Sequence, residues 1–170
     1  MKPGNRYCLR VLAALSFSVL TACATRAPEV RSVDAHYWSG RMALQIDSTP
    51  PQSFSAGFEL KSQKQTGELK LLSPLGSVLA QLEWTPGQAR LEQGGQIWQN
   101  DSIDALLIQL TGAAVPLEAL IDWLQAIPTR IPGWTADLKQ IGKGKLWIQN
   151  VPSVSTPAQP QVTLRLILEP

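Results

Sequence analysis

The sequence predicts an α+β fold in which a helical insertion packs against a curved antiparallel sheet. Two observations carry this prediction. After residue 38, most of the chain alternates apolar and polar side chains with the period of two that is typical of half-buried strands, and turn-forming residues separate the runs at hairpin length. The exception is the stretch 101–128, where apolar residues recur with helical spacing.

The first part of this region predicts a meander of short strands. Breaks at Pro50-Pro51, Pro86-Gly87 and Gly94-Gly95 separate runs that are too close in sequence for anything but hairpin connections. The alternating apolar residues are, in order, Met42, Leu44 and Ile46; Phe54, Ala56, Phe58 and Leu60; Leu69 and Leu71; Val78, Ala80, Leu82 and Trp84; Ala89 and Leu91; Ile97 and Trp98.

Two helices interrupt the meander. Asp101 or Ser102 caps the first helix and Gly112 ends it, whereas Pro116 suits the first turn of the second and Pro128 ends it. The residues at helical spacing are Ile103, Leu106, Leu107 and Leu110 in the first helix, and Leu117, Leu120, Ile121, Leu124 and Ile127 in the second.

Glycines then mark a return to strands. Alternation resumes at 146–148 and again at 162–168, and the stretch 152–160, rich in Ser, Thr and Pro, is predicted to be a loop.

The N-terminus carries an export signal. Three basic residues within positions 1–10 precede an apolar run at 11–19, which is shorter than the roughly 20 residues that a membrane-spanning helix needs. The run ends in Leu20-Thr21-Ala22-Cys23, which we interpret as a lipobox. In that case the chain is cut before Cys23, a diacylglycerol is attached to its sulfur, and the new amino terminus is acylated. An ordinary signal peptide with a chance cysteine fits this order of residues less well.

The lipobox divides the chain and predicts its compartment. Residues 1–22 are the signal peptide, 23–37 are a lipid-anchored tether, and 38–170 are the folded domain. Ala24, rather than Asp, follows the anchor, which favours the outer membrane over the inner one. We therefore expect a lipid-anchored protein on the periplasmic face of the outer membrane.

Charge and cysteine content argue against a nucleic-acid partner and against a disulfide. The full chain has 15 Lys+Arg and 13 Asp+Glu, and the signal holds three of the basic residues and no acid, so the mature chain has 12 against 13, a net charge of −1. No basic run suggests a nucleic-acid partner. Cys8 lies in the signal and Cys23 becomes a thioether, so the mature domain has no disulfide.

An enzyme is not indicated by these residues. The only histidine, His36, lies in the predicted tether, and a Ser-His-Asp hydrolase needs a histidine base. The chain has no Gly-x-Ser-x-Gly, no Cys/His cluster for a metal and no phosphate loop. An envelope enzyme acting on lipid or peptidoglycan is the weakest alternative.

Three stretches downstream of the lipobox resemble the LolB family of outer-membrane lipoprotein receptors. They are Trp38-Ser39-Gly40-Arg41-Met42-Ala43-Leu44, then Leu69 to Ala80 around Ser73-Pro74-Leu75-Gly76, and then the helical region with Leu107 to Gly112 and Val115 to Leu120, followed by Trp123-Leu124 and Pro128. They cover most of residues 38–128, and their order is more specific than any one of them. The N-terminal linker and the part after Leu146 are shorter than in the family.

The resemblance implies a half-open antiparallel barrel covered by helices, with an apolar cavity between them. Such a protein accepts lipoproteins from the periplasmic carrier LolA, holds their acyl chains in the cavity, and inserts them into the inner leaflet of the outer membrane. The implied partners are LolA, the acyl chains and that leaflet, and a monomer is expected. No nucleotide or metal is implied, only the covalent diacylglycerol and N-acyl chain on Cys23.

The predicted membrane-inserting residue is Leu75. Pro74-Leu75-Gly76 predicts a turn, because proline fixes φ and glycine permits positive φ. A leucine at the tip of a turn is exposed, and an isolated surface leucine is common. The resemblance implies more, because the family's membrane-directed loop carries its exposed leucine at this position.

The cavity has candidate lining residues on the alternating strands: Phe54, Phe58, Leu69, Leu71, Val78, Ala80 and Leu82. A solid core needs the same inward apolar faces, so the sequence does not distinguish a cavity from a solid core.

Arg41 is either paired inside the domain or solvated. The alternative function is a structural or scaffolding outer-membrane lipoprotein that transfers no acyl chains.

Overall fold

The computed structural model describes residues 35–150 and 160–170, which form nine strands, two α-helices and one 3-10 helix. The strands are β1 (Ala35–Ile46), β2 (Gln52–Gln63), β3 (Thr66–Leu72), β4 (Val78–Thr85), β5 (Gln88–Gln93), β6 (Gln96–Asn100), β7 (Trp134–Asp137), β8 (Lys145–Asn150) and β9 (Val162–Leu168). The helices are α1 (Ile103–Thr111), α2 (Leu117–Leu124) and the 3-10 helix Ile141–Lys143.

All nine strands belong to one antiparallel sheet in the order β6-β5-β4-β3-β2-β1-β9-β8-β7. β1 to β6 form the predicted meander. β9 pairs with the free side of β1, where Met42 is opposite Leu166 and Leu44 is opposite Leu164. β6 and β7 are the two edges, so the sheet is open. The predicted fold class, an open curved antiparallel sheet covered by helices, is confirmed.

The core lies between the inner face of the sheet and the two helices. Burial alternates along most of the strands, as in β1, where Met42, Leu44 and Ile46 are buried and the residues between them are exposed. α1 packs on β4, β5 and β6. Since the other face of the sheet is exposed at alternate positions, the period-two pattern follows from covering one face only.

Both ends of α1 are as the sequence predicts. Ser102 is the N-cap, with extended backbone angles, and its N–H donates to Asn100 Oδ1 (2.8 Å). Gly112 is the C-cap in the left-handed conformation (φ +75°), and its N–H donates to the carbonyl of Ile108. Glycine ends the helix here because it adopts this conformation without a steric cost.

The second helix ends earlier than predicted. Pro116 is its N-cap, but its last residue is Leu124, so Ile127 does not continue the apolar stripe and is exposed. Gln125 caps the helix, and Ala126 takes a left-handed backbone conformation (φ +62°). Pro128 contributes to this early end, because a proline disfavours the helical conformation of the residue before it.

The first strand begins three residues before the predicted start of the domain at residue 38. His36 therefore lies in β1 rather than in the tether, and its ring stacks on that of Trp38 with a centroid separation of 5.5 Å. The short strand β7 was not predicted, because four residues carry too little alternation to distinguish it from a loop.

The signal peptide, Cys23, the tether up to residue 34 and most of the predicted loop at 152–160 lie outside the described residues. Within the described ranges, neither helix combines the length and the hydrophobicity that crossing a bilayer requires.

Candidate functional site

An apolar cavity lies between the sheet and the helices. The sheet contributes residues of β1, β2, β3 and β9, and the cover consists of α1, α2 and the segment that joins them. The volume of the cavity is about 40 Å³. Its lining residues are Met42, Leu44, Phe58, Leu60, Leu69, Leu164 and Leu166 from the sheet, and Leu107, Thr111, Val115, Leu117, Leu120 and Leu124 from the cover.

Thr111 is the only polar residue among those that line the cavity. Its hydroxyl donates a hydrogen bond to the carbonyl of Leu107 (2.7 Å) and accepts one from the N–H of Ala113 (3.3 Å). Both bonds lie within the turn that ends α1, so the hydroxyl is satisfied without a ligand. The cavity therefore offers hydrocarbon contacts and no free polar partner, which suits an aliphatic chain.

The cavity is small. A water needs roughly 10–15 Å³ of such a volume, so 40 Å³ holds only a few water-sized groups. An acyl chain therefore fits only if the helices move away from the sheet.

A larger groove lies beside the cavity. Its volume is about 1040 Å³, and it lies between α2 and the turns that follow β2 and β4. Val115 and Leu117 line both the groove and the cavity. The segment that joins α1 to α2 is thus a wall shared by the two spaces, and its displacement would connect them.

The C-terminal end of α2 is held by side-chain hydrogen bonds. Trp123, which is fully buried, donates from Nε1 to the carbonyl of Thr129 (2.9 Å), and the hydroxyl of Thr129 donates to Asp122 Oδ2 (2.6 Å). At the N-terminal end, Pro116 has no side-chain cap. The groove borders α2 along its whole length, and side-chain hydrogen bonds hold only the C-terminal end of the helix.

The turn that carries Leu75 is rigid, and its tip is in solvent. Leu75 is 93% exposed. Ser73 Oγ accepts hydrogen bonds from the N–H groups of Leu75 (3.3 Å) and Ser77 (3.1 Å), and Gly76 adopts a positive φ of 81° while its N–H donates to the carbonyl of Ser73 (2.9 Å). These bonds hold a leucine at the tip of the β3–β4 hairpin, with the turn chemistry that the sequence predicts.

Two of the seven residues predicted to line a cavity, Phe58 and Leu69, line this one. Leu71, Ala80 and Leu82 are buried on the same inner face but do not border the cavity, and α1 packs on the strand that carries the last two. They contribute to the core rather than to the cavity wall.

The remaining two, Phe54 and Val78, differ from the prediction because both are exposed. Phe54 is near the start of β2, beyond the region that the helices cover. The register between β3 and β4 shifts near Leu72, so that Leu71 is opposite Ala80 but Leu72 is opposite Val78. This bulge puts Val78 on the outer side with Leu72, although the sequence alternates without interruption.

Most of the lining was not predicted as such. Leu164 and Leu166 reach the cavity because β9 pairs with β1 across more than a hundred residues of sequence, and Val115 lies outside both helices. In the sequence, the β9 residues show the same apolar–polar alternation as the other strands. That alternation indicates an inward face but does not indicate that these residues line the cavity.

In residues 35–150 and 160–170, no three His, Cys, Asp or Glu side chains lie close enough together to hold a metal ion. Arg41 is exposed on the outer face of β1, so of the two predicted possibilities it is solvated rather than paired inside the domain. His36 stacks on Trp38, as described above.

Comparisons with known proteins match most of this chain to one protein family. A sequence model described as "Outer membrane lipoprotein LolB" matches residues 34–157. The chain is similar to the outer-membrane lipoprotein LolB of Azoarcus sp., at 33% identity over 75% of this chain and 68% of the relative. It is also similar to that of Yersinia pseudotuberculosis, at 24% identity over 99% of this chain and 91% of the relative.

The LolB protein of Shewanella woodyi is 33% identical over 65% of this chain, and the chain spans about half of that relative's length, 54%. The family model covers well over half of the chain, including the cavity strands β1 to β3, both helices and the Leu75 turn. The chain belongs to the LolB family of outer-membrane lipoproteins.

Proposed function

We propose that this protein accepts lipoproteins from the periplasmic carrier LolA, holds their acyl chains between the sheet and the helices, and inserts them into the outer membrane. The observation that carries the proposal is the cavity between the sheet and the helices, whose lining is apolar except for one satisfied hydroxyl. Membership of the LolB family supports a role in lipoprotein localisation. The protein acts as a monomer on the periplasmic face of the membrane, and no step needs a metal, a nucleotide or catalysis.

Loading requires the helices to move. We infer that acyl chains enter from the open groove, past the shared wall formed by Val115 and Leu117, while the bonds of Trp123 and Asp122 hold the far end of α2. The helical cover then acts as a lid that turns about its constrained end.

The energies involved make this exchange reversible. The lid contributes five apolar side chains to the cavity, and exposing each costs about 1.5–3 kcal/mol, so opening costs on the order of 10 kcal/mol. An acyl chain of about sixteen carbons gains about 0.8 kcal/mol per buried methylene, which is also on the order of 10 kcal/mol. Because the two free energies are of the same order, a loaded cavity can bind its cargo and still release it to a bilayer.

Delivery places two different hydrophobic groups at the membrane. The lipid on Cys23 anchors the protein, since acyl chains provide most of the binding energy of such anchors. Leu75 contributes at most about 1.5–3 kcal/mol, which lets it enter and perturb the leaflet without anchoring.

A transfer assay tests the proposal. The chain from residue 23 onward, with Cys23→Ala to remove the lipid, is mixed with LolA that carries a labelled lipoprotein, and the two proteins are separated. We expect the label to move from LolA to this protein. If the label stays on LolA under conditions in which the folded protein is in excess, the proposal is wrong.

One observation favours a second candidate, a structural outer-membrane lipoprotein without acyl transfer. The cavity of about 40 Å³ is small enough for the interior to act as a packed core. A fluorescent fatty acid separates the two functions, because a transfer protein takes it up when the lid opens and a solid scaffold does not.

A further inference from the structure

A basic and partly apolar surface lies on the outer face of the sheet, away from the cavity. We call it the basic outer patch, and it consists of Arg41, Lys145, Trp147, Arg165 and Ile167, all of which are exposed. The strand register makes them neighbours. Ile167 is opposite Arg41 on one side and Lys145 on the other, and Arg165 is opposite Trp147. Residues opposite each other in adjacent strands share a face, so these five form one surface.

The three cations of the patch lack acidic partners. Within the described residues, Arg41, Lys145 and Arg165 form no ion pair and no side-chain hydrogen bond. The acids closest by register are Glu59, which is opposite Lys70 and diagonal to Arg41, Asp137, which is opposite Trp147, and Glu169, which follows β9. Within the described residues none of these acids lies within 4.0 Å of a patch cation, so the three positive charges are not neutralised by contact.

On the rest of the outer face, basic residues are paired with acids. On β2 to β5, each basic residue of the outer face lies within 4.0 Å of an acid, and these pairs neutralise one another. They are Lys61–Glu68, Lys70–Glu68, Arg90–Glu83 and Arg90–Glu92. The unpaired cations are thus confined to the side of the sheet formed by β1, β8 and β9.

The patch is continuous with the Leu75 turn. Arg41 is opposite Gly57, and Gly57 is opposite Leu72. Leu72 is in turn opposite Val78, and these two residues flank the turn that exposes Leu75. One row of cross-strand neighbours therefore leads from the patch to the proposed membrane-inserting tip.

The helical side of the protein has the opposite charge. Residues 101–128 include no Lys or Arg, and their acids are Asp101, Asp104, Glu118 and Asp122. An anionic surface would attract the outer face of the sheet and repel the helices.

We propose that the basic outer patch binds the headgroups of anionic phospholipids and orients the protein on the leaflet with the Leu75 turn toward it. This rests on the proposed function, since it names the lipid at the site of delivery. Cations attract anionic headgroups near the surface, and tryptophan favours the interface between headgroups and acyl chains. Trp147 and Ile167 supply the apolar contacts, and the three cations supply the charge.

Vesicle sedimentation tests this proposal without cargo or carrier. The chain from residue 23 onward with Cys23→Ala is mixed with phosphatidylethanolamine vesicles that contain about a third of either phosphatidylglycerol or neutral phosphatidylcholine, at low salt. The patch variant combines Arg41→Gln, Lys145→Gln and Arg165→Gln. The control variant combines Lys61→Gln, Lys64→Gln and Arg90→Gln, which removes the same charge elsewhere. Circular dichroism confirms that each variant is folded.

We expect the unchanged protein to prefer the anionic vesicles, and this preference to fall at high salt. The patch variant should bind them on the order of tenfold to a hundredfold more weakly, and the control should keep most of the affinity. The proposal is overturned if the two variants lose binding equally, or if the patch variant binds like the unchanged protein. If the patch variant still binds vesicles but no longer captures lipoprotein from loaded LolA, the patch is a protein-docking surface instead.

The vesicle experiment and the transfer assay distinguish failure of the patch proposal from failure of the proposed function. A protein that binds anionic vesicles through the patch but takes no labelled lipoprotein from LolA supports the patch and contradicts acyl transfer. A protein that takes the label but binds anionic and neutral vesicles equally contradicts the patch alone.

Discussion

Gly40 of β1 lies directly against the backbone carbonyl oxygen of Ile167 in β9, with no room for a side chain. A Cβ on Gly40 would overlap that oxygen, and the backbone of Gly40 has a φ of +156°. The contact is where the last strand joins the first, so it connects the N-terminal meander with the C-terminal strands. The sheet wall behind the cavity depends on this close approach.

Gly40→Ala should therefore destabilise the protein. The substitution forces the two strands apart and strains the backbone, and we expect a loss of about 2 kcal/mol or more in the free energy of unfolding. Urea denaturation followed by circular dichroism measures the loss. Gly142→Ala is the control, because Gly142 has no left-handed φ and a Cβ there meets nothing within 4 Å. Equal stabilities of the two variants would contradict the close contact.

The sequence predicts the strands and helices of this fold better than their ends. Alternation in β1 to β6 and the Ser102 and Gly112 boundaries of α1 follow from local chemistry, so they are predictable. The early end of α2 depends on a left-handed Ala126 and on a hydrogen bond from Trp123 to the chain six residues further on, neither of which has a sequence signal. The pairing of β9 with β1 is likewise non-local.

The candidate site is predictable only in part, for the same reason. A turn and its exposed tip are local, so Pro74-Leu75-Gly76 predicts the exposure of Leu75. A cavity is the space that packing leaves unfilled, and alternation indicates only which residues face inward. Phe58 and Leu82 therefore look alike in sequence, although only Phe58 lines the cavity.

Leu75→Glu should separate receipt of cargo from its insertion. We expect an unfolding free energy within about 0.5 kcal/mol of the original, because the side chain is exposed, and normal uptake of label from LolA. Insertion into vesicles by the anchored protein should slow by roughly tenfold to a hundredfold, the equivalent of about 1.5–3 kcal/mol. Ile127→Glu, at another exposed apolar side chain, is the control and should insert normally. Normal insertion by the Leu75 variant would refute the membrane role of this turn.

Lys70 makes stability depend on alkaline pH. Its hydrogen bond and charge interaction with Glu68 (Nζ–Oε1 3.0 Å) raise the pKa of Lys70 above its ordinary 10.5. Since the folded pKa is the higher one, the stabilisation is complete below pH 10.5 and is lost as the pH rises through the folded pKa. Lys70→Met should therefore lower stability at pH 8 by up to about 1 kcal/mol, and by less at higher pH.

Urea midpoints of the original and Lys70→Met proteins, measured from pH 8 upward, check this dependence. The difference between them should shrink as the pH passes the folded pKa of Lys70. Lys139→Met is the control, because Lys139 forms no ion pair within the described residues. A difference that persists at the highest pH would mean that the alkyl chain, rather than the charge, stabilises the fold.

A matched pair of enlargements distinguishes a cavity from a solid core. Leu164→Phe adds volume at the cavity wall, whereas Leu82→Phe adds the same volume in the core, away from the cavity. If the cavity is real, Leu164→Phe should change the free energy of unfolding by less than about 1.5 kcal/mol, and Leu82→Phe should cost about 1–3 kcal/mol through overpacking. Only Leu164→Phe should weaken the binding of a fluorescent fatty acid, on the order of tenfold, because it reduces the space that the opened lid leaves for the chain. Equal destabilisation by the two, with no fatty-acid binding by the original protein, would favour the structural lipoprotein over the transfer protein.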